Sequence, residues 1–122
     1  MINYTTRRLS DHASAQCSIK LFDNGDVVLR SYATDVLYFR KETNSLICTG
    51  TYSATTRKQI GWFLREYFPE ISYHDVKRAY DRDEAIIYVS GQICCTRPYT
   101  DTELSILQMR DFSRNNIYPI GY

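Results

Sequence analysis

Two histidines, His12 and His74, are the only imidazole bases in this sequence. A Ser/His/Asp or Cys/His triad needs a histidine held between a nucleophile and an orienting group. His12 lies in the least patterned stretch. His74 falls in the first turn of an expected helix, on its solvent side. Both read as surface histidines. Carboxylates gather at Asp23/Asp26 and at Asp81/Asp83/Glu84. The first pair flanks an expected hairpin turn, where Asp is favoured for local hydrogen bonding. The second forms a polar connection between a helix and a strand. Neither spacing is diagnostic of acid–base work, and no G-x-G-x-x-G or P-loop is present. A small enzyme acting on a nucleotide signal would therefore lack both phosphate motifs and a placed base.

Four cysteines, Cys17, Cys48, Cys94 and Cys95, match neither C-x-x-C nor a paired zinc spacing. The adjacent pair Cys94-Cys95 is too strained to bridge itself. All four are expected as small buried apolar residues in a reducing compartment. The expectation is a protein that is not an enzyme, with no metal and no cofactor.

Binding chemistry is better represented. Tyrosine and arginine each occur eleven times, against four lysines. These two types are enriched at interface hot spots and at single-stranded nucleic-acid sites. Arg57-Lys58, Trp62, Arg65 and Tyr67 form a basic-aromatic mix, with Arg57, Lys58 and Arg65 on or near the face opposite the apolar Ile60 and Leu64 and Trp62 also off that core face. Trp62 has two readings: an anchor for a protein or a nucleobase, or a cover for the sheet edge. In the tail, Ile117, Tyr118, Ile120 and Tyr122 are four large side chains expected to dock on the domain or on another chain. The expected partner-binding residues are Arg57, Trp62, Arg65, Tyr118 and Tyr122. Lys77, Arg78 and Arg82 read as a solvated face.

The elements that must position these residues follow from periodicity. Residues 1–13 are polar and read as a short strand or an ordered arm. Cys17, Ile19 and Leu21 alternate with polar neighbours, the period of a strand. Asn24-Gly25 predicts a type I′ hairpin turn with both central residues at positive φ. Strands are expected over 27–32, 36–40 and 45–50, with turns at 33–35 and 42–44. The period then changes: Ile60, Phe63, Leu64 and Tyr67 lie on one helical face over 55–68. Ser53, Thr55 and Thr56 are candidate N-caps, and Pro69 stops the helix. Gly61 weakens it by about 1 kcal/mol relative to Ala; close packing on the sheet would explain it. Ser72 with Asp75 predicts a capping box for a second helix ending near Asp81. Ala85–Ser90 is apolar enough for a central strand, which Ile93–Thr96 extends. Thr100 with Glu103 predicts a capping box for a third helix over 101–114. Its apolar arc is broad, with Leu104 and Leu107 on one stripe and Ile106, Met109 and Phe112 on another. Part of that helix is expected to meet a partner, and self-association through it and the tail is a linked expectation.

The order predicts one α+β domain over 1–122, an antiparallel meander of about four or five strands with three helices mainly on one face. Length and composition agree: 122 residues, 43% hydrophobic and 24% charged, suit one globular domain. Net charge is +1, too balanced for a carboxylate mimic of DNA and no support for a protein that neutralises phosphates. No apolar run nears the ~20 residues of a membrane span, and the first residues lack a signal-peptide core. A cytoplasmic location, with no membrane partner, is the expectation.

Ser31-Tyr32-Ala33-Thr34-Asp35-Val36 followed by Gly50-Thr51-Tyr52-Ser53-Ala54-Thr55-Thr56-Arg57 resembles a family of small uncharacterised proteins of phages and prophages of Gram-positive bacteria. Its pattern is S-Y-x-T-x-V, then G-x-Y-S-x-T-T, then a basic residue and an Ile-led helix. The family tends to have His where this chain has Gln59, so a role for that His does not transfer. The resemblance implies an accessory protein of a mobile element. Such proteins often bind and inhibit a host factor, CRISPR effector complexes included. The functional expectation is a non-enzymatic inhibitor of a host protein or ribonucleoprotein complex, of anti-CRISPR type, acting in the host cytoplasm. The alternative is an accessory protein that binds single-stranded nucleic acid.

Overall fold

A computed structural model describes residues 3–9, 16–50 and 53–114, with side chains described up to residue 107. His12, Thr51, Tyr52 and the tail residues Ile117, Tyr118, Ile120 and Tyr122 lie outside the described residues, as do the side chains of Met109 and Phe112. The elements in chain order are β1 (Tyr4–Arg7), β2 (Cys17–Phe22), β3 (Val27–Ser31), β4 (Thr34–Arg40), β5 (Ser45–Cys48), α1 (Ala54–Tyr67), α2 (Tyr73–Asp81), β6 (Glu84–Val89), β7 (Gln92–Pro98) and α3 (Asp101–Arg114).

The strands form one antiparallel sheet in the order β1-β2-β3-β4-β5-β6-β7. Short turns make β3, β4 and β5 each pair with its predecessor. Two helices intervene before β6, which still takes the place next to β5, pairing Ser45 with Ile87 and Leu46 with Ile86. The Tyr88 amide extends this short ladder by donating to the Asn44 carbonyl at 2.8 Å.

Period-two alternation sorts the side chains onto two faces. Ile19, Leu29, Leu37, Leu46 and Ile86 point to the first face and join Ile60, Phe63 and Leu64 of α1 with Val76 and Ala79 of α2. Phe68, just past α1, ties this core together. Its ring lies 4.9 Å from Phe39, 5.7 Å from Phe63 and 5.2 Å from Tyr88. Phe63→Ala would remove the centre of this packing, at a cost of about 3–5 kcal/mol. On the second face, Val28, Tyr38, Ile47 and Ala85 pack with Tyr99 and with Ile106 of α3.

The α+β class and the three helices match the sequence reading; the sheet is larger than expected. Residues 4–7 are a strand, β1. The chain reverses at Ser90 (φ 53°) and Gly91 (φ 81°), so 92–98 is a separate strand rather than an extension of β6. That also leaves β6 one place from the edge, buried on both faces by neighbours rather than by centrality. Two helices share the first face, and α3 takes the opposite one. The Asn24-Gly25 turn is not type I′. Gly25 donates to Phe22 O and Phe22 to Asp26 O, each at 3.0 Å, and Gly25 alone has positive φ, 97°. Asp23 and Asn24 thus form the turn centre, with Gly25 in the left-handed position that closes a three-residue hairpin loop.

Candidate functional site

Helix α1 starts where Ser53 caps it, its hydroxyl accepting the Thr56 amide at 3.4 Å. Along its outer side, Arg57, Gly61 and Arg65 recur every four residues, one stripe of a helix. The rise of 1.5 Å per residue puts the two arginines about 12 Å apart along the axis, with the glycine midway. A Cβ added at Gly61 would meet nothing within 4 Å. The glycine therefore does not serve close packing on the sheet, as the sequence suggested; the space above it is open.

That space is the end of a 250 Å³ groove between α1 and α2. Its floor holds the buried Leu64 and Ile71; Tyr73, half-buried, forms a wall, and Arg65 and Ser72 stand at the rim. Burial pushes the Tyr73 phenol above its ordinary pKa, and the positive charge of Arg57 opposes that shift. Arg57 and Arg65 are exposed. Among the described residues, neither they nor Lys58 join an ion pair.

Neighbouring charges are engaged. Glu66 accepts Arg7 at 3.0 Å. Lys77 donates to Asp81 at 2.8 Å, a hydrogen bond that raises the lysine pKa, and Arg78 lies 3.8 Å from Asp75. A larger cavity, 460 Å³, is bounded by His74, Lys77, Arg78, Asp81 and Arg82 on the outside of α2. Every one of these is an exposed, solvated polar side chain. The cavity is the solvated face that the sequence reading assigned to Lys77, Arg78 and Arg82.

Trp62 is half-buried and packs against the first-face core, which fits the covering role better than that of an exposed anchor. Tyr118 and Tyr122 fall outside the described residues. The structure thus brings together Arg57 and Arg65 and adds Gly61, Ile71 and Tyr73. Sequence reasoning treated the glycine only as a weak point. Its position midway between two arginines on one stripe was the available signal.

The residues of the resemblance motif are mostly structural. Ser31 Oγ donates to Gln59 and lies 3.3 Å from Thr56 Oγ1, fastening the β3–β4 hairpin to the start of α1. Among the described residues, no imidazole or carboxylate is hydrogen-bonded to this trio. Tyr32 differs. It turns the hairpin at φ 55° with 61% of its surface exposed. A bulky side chain in that region costs on the order of 1 kcal/mol.

Two buried charge clusters lie on the second face. Asp35 accepts Lys20 at 3.3 Å, Arg30 at 3.3 Å and the Tyr38 hydroxyl at 3.2 Å. Burial holds the Lys20 pKa down, against the pull of Asp35. Glu103, wholly buried, receives both terminal nitrogens of Arg97 at 2.8 and 3.0 Å and the Thr100 amide at 2.9 Å, with Arg40 3.8 Å away. Burial alone would raise its pKa. The bonds from Arg97, Thr100 and Ser45 outweigh it and hold the carboxyl at about 2. Both clusters join strands to each other or to α3.

Cys17 and Cys48 are buried as expected, but Cys94 and Cys95 are exposed, because β7 is an edge strand. No group of three or more His, Cys, Asp or Glu among the described residues could hold a metal ion. None of the described helices is long and apolar enough to cross a membrane.

Residues 5–83, from β1 through the turn after α2, match the model of a family described as a family of unknown function (DUF8033). No curated protein and no solved structure matches.

Proposed function

This chain belongs to the DUF8033 family of unknown function, and we propose that it is a small non-enzymatic protein of a phage or mobile element that binds and inhibits a host protein complex. An anti-CRISPR protein is the specific form of that proposal. The observation that carries the binding role is the row Arg57, Gly61 and Arg65: two exposed cations with no ion pair among the described residues, flanking open space over an apolar floor. Interfaces draw their affinity from such places, where arginines surround a pocket that excludes water. The origin and the inhibitory role rest on the resemblance of the two motifs alone.

Binding of single-stranded nucleic acid is less well supported. It needs aromatic faces beside the cations for bases to stack on. The well-exposed aromatics among the described residues are Tyr4 and Tyr32, on β1 and the β3–β4 turn rather than in the groove.

Immobilised protein should retain a defined multisubunit complex from host extract and lower that complex's activity in a purified assay. The Arg57→Glu/Arg65→Glu variant should inhibit at least tenfold less well. Equal inhibition by the variant would remove this surface from the proposal, and no effect on any retained complex would end the inhibitory reading.

A further inference from the structure

We propose that the α1–α2 groove receives an acidic helix of a partner protein, crossing α1 at Gly61 with carboxylates on either side of the crossing point. This rests on the binding role above and names the chemistry of the occupant. Three observations converge on it. First, Gly61 has no side chain and open space above it, so a partner backbone can approach α1 more closely there than at any residue with a Cβ. Helix axes pack 8–10 Å apart, and small residues at the crossing set the lower end of that range.

Second, Arg57 and Arg65 stand one turn before and one turn after the glycine. Glutamates eight residues apart on a partner helix span the same ~12 Å, so each arginine meets one carboxylate in the two-pronged geometry that guanidinium favours. On the described surface neither arginine has an internal carboxylate to compete. Third, the half-buried ring of Tyr73 gives an apolar side for the small residues at the partner's centre, above the almost wholly buried Leu64 and Ile71. A phosphate backbone would use the arginines but not this apolar side. An acidic helix uses both.

The test uses the full-length chain and a fluorescent, alanine-rich helical peptide of about 20 residues. The peptide carries glutamates four residues before and four after a central alanine. A matched peptide has lysine in place of glutamate, and a fifteen-nucleotide thymidine strand is the third probe. Anisotropy is read at ~50 mM salt, where screening is modest. The glutamate peptide should bind at least tenfold more tightly than the lysine peptide and the oligonucleotide. Arg57→Glu/Arg65→Glu should weaken it at least tenfold, while Arg78→Glu/Arg82→Glu, with the same change in net charge, stays within threefold.

Gly61→Leu should also weaken binding at least tenfold without a lower melting temperature, which separates blocked approach from failed folding. Unchanged binding in Gly61→Leu or in the Arg57/Arg65 variant overturns the proposal, as does tighter binding of the oligonucleotide. Failure of host inhibition with peptide binding intact would instead count against the inhibitory role alone.

Discussion

The two helical faces of the sheet treat charge in opposite ways. On the second face, charges are buried and joined: Glu103 of α3 with Arg97 and Arg40, and Asp35 with Lys20 and Arg30. On the outer stripe of α1, charges are exposed and have no ion-pair partner among the described residues, around a glycine that weakens its own helix. Buried charge of the first kind fixes how elements dock; it is costly to leave half-made, because desolvation of one partner is then uncompensated. Exposed charge of the second kind contributes little to stability and is available to another molecule. The contrast sets charge that joins elements on one side of the sheet against the α1 stripe to which the proposal assigns recognition on the other.

The sharpest way to break this comparison is at Asp35. Asp35→Ala removes the carboxylate that Lys20, Arg30 and Tyr38 share, and should cost on the order of 4 kcal/mol in urea denaturation. A loss below about 1 kcal/mol would show that the second-face charges are not structural.

Next in size is the acid response of Glu103. Its folded pKa, about 2, lies below the ordinary carboxylate value of 4.5. The stability it contributes is therefore complete above pH 4.5 and lost as pH falls from there towards 2. Lowered pKa values of this size correspond to on the order of 3 kcal/mol. Glu103→Gln should flatten the acid limb of the stability profile in that window; an identical limb would contradict the assignment.

Gly61→Ala should raise stability by about 1 kcal/mol, seen as a melting temperature higher by about 4 °C. A lower melting temperature would mean that the space above the helix is filled. Smallest of all, Arg57→Ala and Arg65→Ala should each change stability by less than about 0.5 kcal/mol while weakening partner capture. A large stability loss at either arginine would erase the contrast.

What the sequence disclosed was whatever four or five neighbouring residues decide. Ser53 at α1, Ser72 with Asp75 at α2 and Thr100 with Glu103 at α3 all form the caps expected of them, since both partners lie within one turn. The strand β7 escaped because its residues are exposed on the sheet edge and carry no apolar alternation to read. The hairpin at Gly25 was misassigned because Asp23 offers the turn an alternative centre that Asn24-Gly25 alone does not reveal.

Depth was the harder quantity. Lys20 alternates with Ile19 and Leu21 like any solvent-facing residue, and Glu103 looks like any capping glutamate. Only strand pairing places Lys20 beside Asp35, or Arg97 over α3. For the candidate site, the helix and its arginines were legible, but the groove was not, because the α1–α2 connection and the first residue of α2 form its far side. Nothing local to α1 says where Tyr73 and Ile71 will lie.

The sequential strand order has a kinetic consequence. Strands β2 to β5 can zip hairpin by hairpin as they leave the ribosome, each closure spanning few residues. The joining of β6 to β5 must instead wait for the whole α1–α2 segment, between Cys48 and Glu84, and loop closure grows more unfavourable with length. Until then the first face of the growing sheet has no cover. The longest closure within the sheet is thus the joining of β6 to β5, and substitutions at the paired Leu46 or Ile86 should retard refolding more than substitutions in α3.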